Sequence, residues 1–253
     1  MDSIPQLHGK IYFVSDLHLG IPDHASSLER EKRFVRWLNY VQNDAQAIFI
    51  VGDLFDFWFE YKQVVPRGFV RVLGKLAELR DENVPVFFFT GNHDQWMKNY
   101  FQEELNIPVY HKPERIEIAG KKFLIAHGDG LGPGDHGYKF LKKIFRGKIT
   151  RWLFALLHPN FGVWLGKKWS RDSRLISGEE QSEFLGEEKE WLIGYAREIL
   201  KNEHVDYFIF GHRHIVLEYP LQQDSIYFNL GDWIQFNSYA VFDGTRVQLQ
   251  SFQ

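Results

Sequence analysis

The sequence contains no cysteine, which excludes disulfide frameworks, thiolate metal sites and cysteine nucleophiles together. A reducing cytoplasm suits such a composition. No run of eighteen apolar residues occurs, and residues 1–10 lack a basic region followed by an apolar stretch, so we expect neither a membrane span nor a secretion signal. From these absences we predict a protein that is soluble or peripheral to a membrane.

A large net charge is also lacking, since the 253 residues carry a formal charge of only −3. This gives no general argument for nucleic acid binding. The distribution is uneven, however, because residues 139–174 hold ten Lys and Arg residues against a single acid, Asp172, a local net charge of +9. The remainder of the chain therefore carries −12, and such an imbalance indicates a segment with a task of its own.

Five short motifs rich in Asp, His and Asn occur in order along the chain. Each follows a run of β-branched or aromatic residues that predicts a buried strand. The motifs are Asp16-Leu17-His18, Gly52-Asp53-Leu54-Phe55-Asp56, Gly91-Asn92-His93-Asp94, His127-Gly128-Asp129 and Gly211-His212-Arg213-His214. Any one of them could be an ordinary turn at the end of a strand. All five together indicate one site, because side chains at the carboxyl ends of neighbouring strands can converge on one point.

The residue types in these motifs fit two divalent metal ions. Two cations about 3.5–4 Å apart need an anionic bridge, and we assign this role to Asp53. Asp16, His18 and His214 would complete the first ion, and Asn92, His127 and His212 the second. Such a ligand set without thiolate favours Mn²⁺, with Zn²⁺ or iron as alternatives. A water between the ions would lose a proton and attack a phosphorus atom, while the ions neutralise the developing charge.

Two further residues of the motifs have a predicted role in catalysis. His93 follows the ligand Asn92, and we expect it to face the substrate and to donate a proton to a phosphoryl or leaving oxygen. Asp56 is the predicted partner that orients His93.

The pattern between the motifs predicts two packed mixed sheets with helices outside. Amphipathic periodicity predicts helices over Ser27–Asn43, around Phe69–Arg80 and over Glu187–Asn202. Alternation of strand and helix in the first half indicates a parallel α/β layer, and the second half has short strands with a hairpin at Asp243-Gly244. Residues 131–186 interrupt this pattern and are interpreted as a helical insertion, or cap, over the ligands. Residues 1–130 and 187–253 would form the core.

Taken together, the motifs resemble those of the calcineurin-like metallophosphoesterase superfamily, over residues 11 to about 245. The resemblance implies an α/β fold, a four-layer α/β/β/α sandwich of two mixed sheets with a helical cap insertion, and the same ligand assignment. Within the superfamily the chain is most similar to the UDP-2,3-diacylglucosamine pyrophosphatases of lipid A synthesis in Gram-negative bacteria. The additional residues that carry this similarity are Asp135 and Tyr138 at the family's spacing and Leu230-Gly231-Asp232-Trp233.

That similarity implies a hydrolase that cuts a lipid-linked sugar nucleotide diphosphate and releases UMP and a diacylglucosamine 1-phosphate. Asp135 and Tyr138 would bind the substrate, and Arg171 and Arg174 are further candidates for phosphate or sugar contacts. The chain departs from the family pattern at two positions: His93 stands where members usually have Arg, and Arg213 where they usually have Thr.

The insertion mixes its cations with apolar side chains, from Trp152 to Leu157 and at Phe161, Val163, Trp164, Leu165 and Trp169. This mixture suits anionic head groups and acyl chains, so we expect a peripheral protein at the cytoplasmic face of the inner membrane. The alternative is a helical pair whose aromatics pack on the core while its lysines face water. A basic, aromatic patch could also hold single-stranded nucleic acid, although nothing else in the sequence indicates this.

Two other functions compete with this prediction. One is a phosphoesterase of the same fold that acts on a soluble nucleotide, phosphodiester or phosphoprotein. The other is a non-catalytic scaffold, which we would expect to have lost several of the seven ligands. No obligate protein partner is evident from the sequence.

Overall fold

The computed structural model describes residues 8–132, 144–145, 147–177, 183–184, 186–222 and 224–253, with side chains excluded for 172–177. Within these residues eleven strands form two sheets. The strands are β1 Lys10–Val14, β2 Ala45–Val51, β3 Val86–Phe89, β4 Val109–Tyr110, β5 Glu114–Ile118, β6 Lys121–Ala126, β7 Tyr207–Phe210, β8 Val216–Pro220, β9 Ile226–Leu230, β10 Ser238–Phe242 and β11 Val247–Ser251. The first sheet has the order β11-β10-β1-β2-β3-β4, and the second has the order β5-β6-β7-β9-β8.

Both sheets are mixed. In the first sheet β1, β2, β3 and β4 are parallel, whereas β10 pairs antiparallel with β1 and with β11. In the second sheet β6, β7 and β9 are parallel and the outer strands β5 and β8 are antiparallel to their neighbours. Every run of residues that predicted a strand before a motif is a strand in the structure, so the expected placement of the motifs at strand ends is confirmed.

Alternation along the strands explains why the sheets pack face to face. Ile11 and Phe13 of β1 point into a core shared by both sheets, and Phe13 stacks on Phe123 of β6 with ring centroids 5.8 Å apart. Tyr12 and Val14, one residue out of phase, pack against the helices on the other side. Because successive side chains of a strand point to opposite faces, a strand buried on both faces reads as one continuous apolar run.

Helices cover the outer face of each sheet. The helices are α1 His24–Val41, α2 Val70–Asp81, α3 Tyr100–Leu105, α4 Lys148–Ala155, α5 Pro159–Ser177 and α6 Trp191–Leu200. Helices α1, α2 and α3 pack on the first sheet, and α6 packs on the second. The predicted α/β fold with two mixed sheets between helical layers is therefore confirmed.

Helix α1 begins earlier than the predicted Ser27. Asp23 caps it, because the Asp23 carboxylate accepts a hydrogen bond from the backbone N–H of Ser26 over 2.9 Å. The prediction relied on the buried apolar stripe, which starts at Phe34, and the first turn carries no such residue. Helix α6 is shorter than predicted, starting at Trp191 instead of Glu187.

Most of the predicted cap that the structure describes is helical, in α4 and α5. Phe154 of α4 is buried against Phe57, Phe59 and Trp96, which lie in the segments after β2 and β3. Residues 133–143, which belong to the predicted insertion, lie outside the described residues. The division into a core and a cap at 131–186 stays a prediction. Across the described residues no helix is both long enough and apolar enough to cross a membrane.

Candidate metal centre

Side chains from both sheets meet at one place. Asp16, His18, Asp53 and Asn92 follow strands of the first sheet, and His127, His212 and His214 follow strands of the second. Asp16, His18 and His214 bring their ligand atoms within 4.8 Å of one another, and so do Asp53, His127 and His212. The structure thus brings the predicted ligands of each ion together, with Asn92 Oδ1 3.2 Å from His127 Nε2.

The backbone at these positions is strained. Asp16, His18, Asp53, His212 and His214 have φ angles between 46° and 70°, in the left-handed region that residues other than glycine rarely adopt. Each such conformation costs on the order of 1–3 kcal/mol and persists only where the surrounding structure imposes it. Five of the seven predicted ligands share this feature, which indicates that the loops are shaped to aim side chains at a common point.

The first group has the spacing of ligands around a metal ion. His18 Nε2 and His214 Nε2 are 3.1 Å apart, and Asp16 Oδ1 lies 3.6 Å and 3.4 Å from them. Ligands at about 2.1 Å from a metal are separated by about 3.0 Å in an octahedral site and about 3.4 Å in a tetrahedral one. Among the described residues no group donates a hydrogen bond to Asp16 Oδ1. A divalent cation would satisfy this buried oxygen.

Asp53 lies between the two groups. Its Oδ2 atom is 3.2 Å from His127 Nε2 of the second group and 3.8 Å from His18 Nε2 of the first. Its Oδ1 atom accepts a hydrogen bond from the backbone N–H of His93 over 2.9 Å. The carboxylate is therefore held by one oxygen while the other faces both groups, which is the arrangement that a bridging ligand requires.

Hydrogen bonds from behind fix the histidine rings. His127 Nδ1 donates to the carbonyl of Val51 over 2.9 Å, so this nitrogen carries the proton and Nε2 is free to bind a metal. His214 Nδ1 lies 3.2 Å from Asp232 Oδ2, a carboxylate that plays the same part for the first group. Asp94 holds two motifs together, because it accepts from the backbone N–H groups of Leu54 and Gly91.

Two motif glycines are required by close packing. A Cβ atom on Gly91 would collide with the Asp53 carboxylate, and one on Gly211 would collide with the Asp16 carboxylate and the Ser15 side chain. In both motifs the backbone passes directly against a predicted ligand. The glycines therefore belong to the construction of the site as much as the acidic residues do.

The electrostatics of the site call for additional positive charge. Burial disfavours the ionised carboxylates of Asp16 and Asp53, yet the neighbouring histidines lower the pKa of both. Burial also disfavours protonated His127 and His214, yet the carboxylates raise their pKa to about 10. For His212, burial and the charge on His127 lower the pKa to about 3. In the metal-free site, protonated His127 and His214 thus supply the positive charge that metal cations would supply.

His93 lies at the edge of the first group, with its ring centroid 4.8 Å from that of His18. Its Nδ1 atom donates to the main-chain carbonyl of Asp56 over 3.0 Å and is also 2.9 Å from Ser170 Oγ in α5. The Asp56 carboxylate is 3.8 Å from His93 Nδ1 and 3.6 Å from His18 Nδ1. Asp56 therefore holds His93 through its backbone, and its carboxylate lies slightly closer to the predicted metal ligand.

The predicted substrate-binding residues are only partly described. Arg171 is exposed and lines a cavity of about 450 Å³ together with Asp56 and Trp164, so it lies beside the site. Asp135, Tyr138 and the side chain of Arg174 lie outside the described residues, and their roles stay predictions. Sequence reasoning assigned no role to Ser170 or Asp94. The family resemblance includes Asp232, but nothing in the sequence shows which histidine its carboxylate contacts.

A family model described as calcineurin-like phosphoesterase matches residues 9–216. The chain belongs to this family. All seven predicted ligands of this phosphoesterase lie inside the matched segment. Membership agrees with the resemblance found from the motifs, and with the divalent metals that the His and Asp groups are able to bind.

Curated relatives match along nearly the whole length of this phosphoesterase. A UDP-2,3-diacylglucosamine hydrolase of Porphyromonas gingivalis strain W83 is 42% identical, with 98% of this chain and 99% of the relative covered. A protein of the same name from Shewanella baltica strain OS185 is 25% identical, with 94% and 95% covered. A solved structure of vacuolar protein sorting 29 from Cryptosporidium parvum is 13% identical, has a TM-score of 0.47 and covers 96% of this chain and 90% of its own.

Proposed function

We propose that this phosphoesterase hydrolyses the diphosphate of UDP-2,3-diacylglucosamine to UMP and 2,3-diacylglucosamine 1-phosphate, as a step of lipid A synthesis. The observation that carries the proposal is the 42% identity, over essentially full length, to a relative with this named activity. The complete set of seven converging ligands supports it, because a non-catalytic scaffold has no reason to keep them. We propose Mn²⁺ as the native metal at both positions.

The seven predicted ligands would hold two divalent ions, which would supply Lewis acidity, an activated water and neutralisation of negative charge. The protein's own contribution is preorganisation. Asp53 faces both positions, and Val51 and Asp232 fix the rings of His127 and His214. Ligands held in this way need little rearrangement when the substrate diphosphate arrives, which lowers the cost of reaching the transition state.

His93 is the proposed proton donor. Because its Nδ1–H is engaged by the Asp56 carbonyl and approached by Ser170 Oγ, the other ring nitrogen, Nε2, is the one that can serve the substrate. In this position a protonated imidazole would donate to a phosphoryl oxygen or to the oxygen of the leaving group. Asp56 would keep the ring in this orientation.

A groove beside the metal ligands offers room for the lipid part of the substrate. It has a volume of about 700 Å³ and runs from Leu19 and Asp56 past Phe57 and Val163 to Trp164. Lys167 lines the same groove, so a cation stands next to apolar walls. We propose that the diphosphate lies over the metal ligands, that the acyl chains follow the groove, and that Arg171, Arg174, Asp135 and Tyr138 contact phosphate or sugar.

The outer surface of α4 and α5 is the proposed contact with the membrane. Its exposed apolar side chains, here called the cap patch, are Ile149, Trp152, Leu153, Leu156, Phe161 and Trp164. Exposed fractions of 75% at Ile149 and 64% at Leu156 are large for residues of this kind. Lys148, Arg151 and Lys168 accompany them, so the surface suits anionic lipid at the cytoplasmic face of the inner membrane.

The substrate is tested by incubating the purified protein and Mn²⁺ with UDP-2,3-diacylglucosamine in mixed micelles and measuring UMP. We expect turnover that disappears in Asp53→Asn, which removes the bridging charge. The discriminating comparison uses a simple phosphodiester. Cleavage of the phosphodiester without release of UMP would refute the lipid substrate and favour a soluble one, while the metal centre would stand.

Membrane binding is tested by sedimentation with vesicles of phosphatidylethanolamine and phosphatidylglycerol. We expect the double variant Trp152→Ser/Leu156→Ser to bind about tenfold more weakly or worse, since burial of each side chain contributes roughly 1.5–3 kcal/mol. Val70→Ser is the matched control, because Val70 is 74% exposed but lies on α2. Equal binding by all three proteins would exclude the cap patch as the contact surface.

A further inference from the structure

Arg213 stands between two predicted metal ligands in the sequence, yet its side chain is bound at the start of α6. It is 3% exposed, and its Nε atom lies 3.0 Å and 3.2 Å from the two carboxylate oxygens of Glu190. Its guanidinium carbon is 4.6 Å from the ring centroid of Trp191. Its Nη2 atom donates to the carbonyl of Glu183 over 3.3 Å. A buried cation thus ties the metal-binding turn to a helix outside the metal groups.

The turn that carries Arg213 serves both metal groups at once. His212 belongs to the second group and His214 to the first. Both have left-handed backbone, with φ of 70° and 49°, and the N–H of Arg213 donates to the carbonyl of Gly211 over 2.8 Å. A turn this strained needs an anchor, because relaxation of either φ angle would swing a histidine away from its group.

We propose that Arg213 is a positioning residue whose ion pair with Glu190 fixes the 211–214 turn, so that His212 and His214 reach the two metal positions together. The inference rests on the proposed function, since it requires both histidines to be ligands. The pair also connects the metal centre to the segment through which the chain returns from the predicted cap, at Glu183 and Glu190. Arg213 therefore connects Glu183, a residue of the predicted cap, to the turn that carries His212 and His214.

Stability alone is a weak reason for this ion pair. Burial raises the pKa of Glu190 although Arg213 opposes the shift, which shows that desolvation of the pair is costly. Buried ion pairs are often no more stabilising than apolar residues of the same size. An arginine is, however, suited to fixing geometry, because its planar fork holds a carboxylate by two hydrogen bonds and stacks on an aromatic ring. Here the Nε–H group of Arg213 lies within hydrogen-bond distance of both Glu190 oxygens, and the guanidinium lies over the ring of Trp191.

The test measures Mn²⁺ binding to the metal-free protein, together with the absorption spectrum of the Co²⁺ form, which reports ligand geometry. Arg213→Met is expected to weaken binding at both positions by about 10- to 100-fold, the effect of removing a residue that orients ligands. Arg213→Lys, which keeps a charge able to reach Glu190, should give an intermediate affinity. Glu190→Gln should repeat the Arg213→Met effect in milder form and serves if Arg213→Met fails to fold.

Lys75→Met is the control for a merely structural role. Lys75 is also buried and binds Gln42 and Glu78, but it lies on α2. It should lower Tm without changing the Mn²⁺ affinity or the Co²⁺ spectrum. Wild-type Mn²⁺ affinity in both Arg213→Met and Glu190→Gln, or an equal loss in Lys75→Met, would overturn the proposal. Unchanged metal binding in His214→Ala would instead refute the ligand assignment on which the proposed function depends.

Discussion

Replacement of His93 by alanine separates acid catalysis from metal binding. His93 contributes to the metal centre through its backbone N–H, which donates to Asp53 Oδ1 over 2.9 Å and remains in the variant. The variant loses the contacts of the imidazole with the Asp56 carbonyl, Ser170 Oγ and the His18 ring. Neither the Asp56 carbonyl nor Ser170 Oγ is a predicted metal ligand. We therefore expect His93→Ala to keep both ions.

The expected loss of rate follows from the proposed role. Removal of a positioned proton donor slows a reaction by about 10²- to 10⁴-fold, which corresponds to about 3–5 kcal/mol in the activation free energy. The assay is kcat for UMP release at saturating Mn²⁺, with metal content measured on the same protein samples. His93→Arg, which places a different cation at this position, should recover part of the rate.

Asp53→Asn provides the contrast. It removes the charge that faces both groups, so metal content should fall along with turnover. If His93→Ala loses as much metal as Asp53→Asn, His93 is a ligand or a support of ligands and its assignment as proton donor is wrong. If His93→Ala keeps its metals and its full rate, another group supplies the proton.

Two further predictions concern stability. Phe154→Ala should lower the free energy of unfolding, measured by urea denaturation, by about 3–5 kcal/mol, because it opens a cavity against Phe57 and Trp96. The control Phe161→Ala, at a residue of the cap patch that is 50% exposed, should change this free energy little. Equal effects of the two variants would show that α4 does not pack as described. In the metal-free protein the pKa of His127 and of His214 is raised from the ordinary value of 6.5 to about 10. Protonation of these two groups therefore stabilises the fold fully below pH 6.5, and this contribution is lost as the pH rises towards 10. Stability measured at pH 6.5 and 9.5 should fall steeply without metal and less with Mn²⁺ bound, and identical falls in both forms would contradict this account.

The sequence predicted the strands and the position of each motif at a strand end well, because both follow from local patterns. Each motif comes directly after a continuous apolar run, and a strand buried on both faces leaves that run visible in the sequence. Once the strands are parallel, their carboxyl ends must lie at one edge. This rule was enough to place Asp16 and Asp53, which follow parallel strands of the first sheet, near one another, whereas the approach of His127 also depends on how the second sheet packs against the first.

Contacts that depend on the direction of a side chain could not be predicted in this way. Trp152 and Phe154 are two residues apart in one aromatic, basic stretch, yet the first is 61% exposed and the second is buried. Which face of α4 meets the core depends on Phe57, Phe59 and Trp96, far away in sequence. The packing interpretation is correct for the buried face of α4, and the membrane interpretation of its exposed face stays a proposal.

The residues behind the ligands escaped prediction for the same reason. Ser170 reaches His93 from a helix 77 residues further along the chain. Asp232, which follows β9, contacts His214, which follows β7. Arg213 binds Glu190 at the start of α6. No spacing rule connects such pairs, because their geometry is set by how helices and sheets pack against one another.

The division of the predicted ligands between two sheets has a consequence for how the two sheets are held together. The first sheet would supply two carboxylates, one imidazole and one amide, and the second would supply three imidazoles, so we expect neither sheet to hold the two ions alone. A cation bound by side chains of both sheets would cross-link the two sheets. Removal of the ions by a chelator should therefore weaken the contact between the two sheets first. Protease sites along the inner faces of β2 and β6 should become accessible before the helical layers unfold.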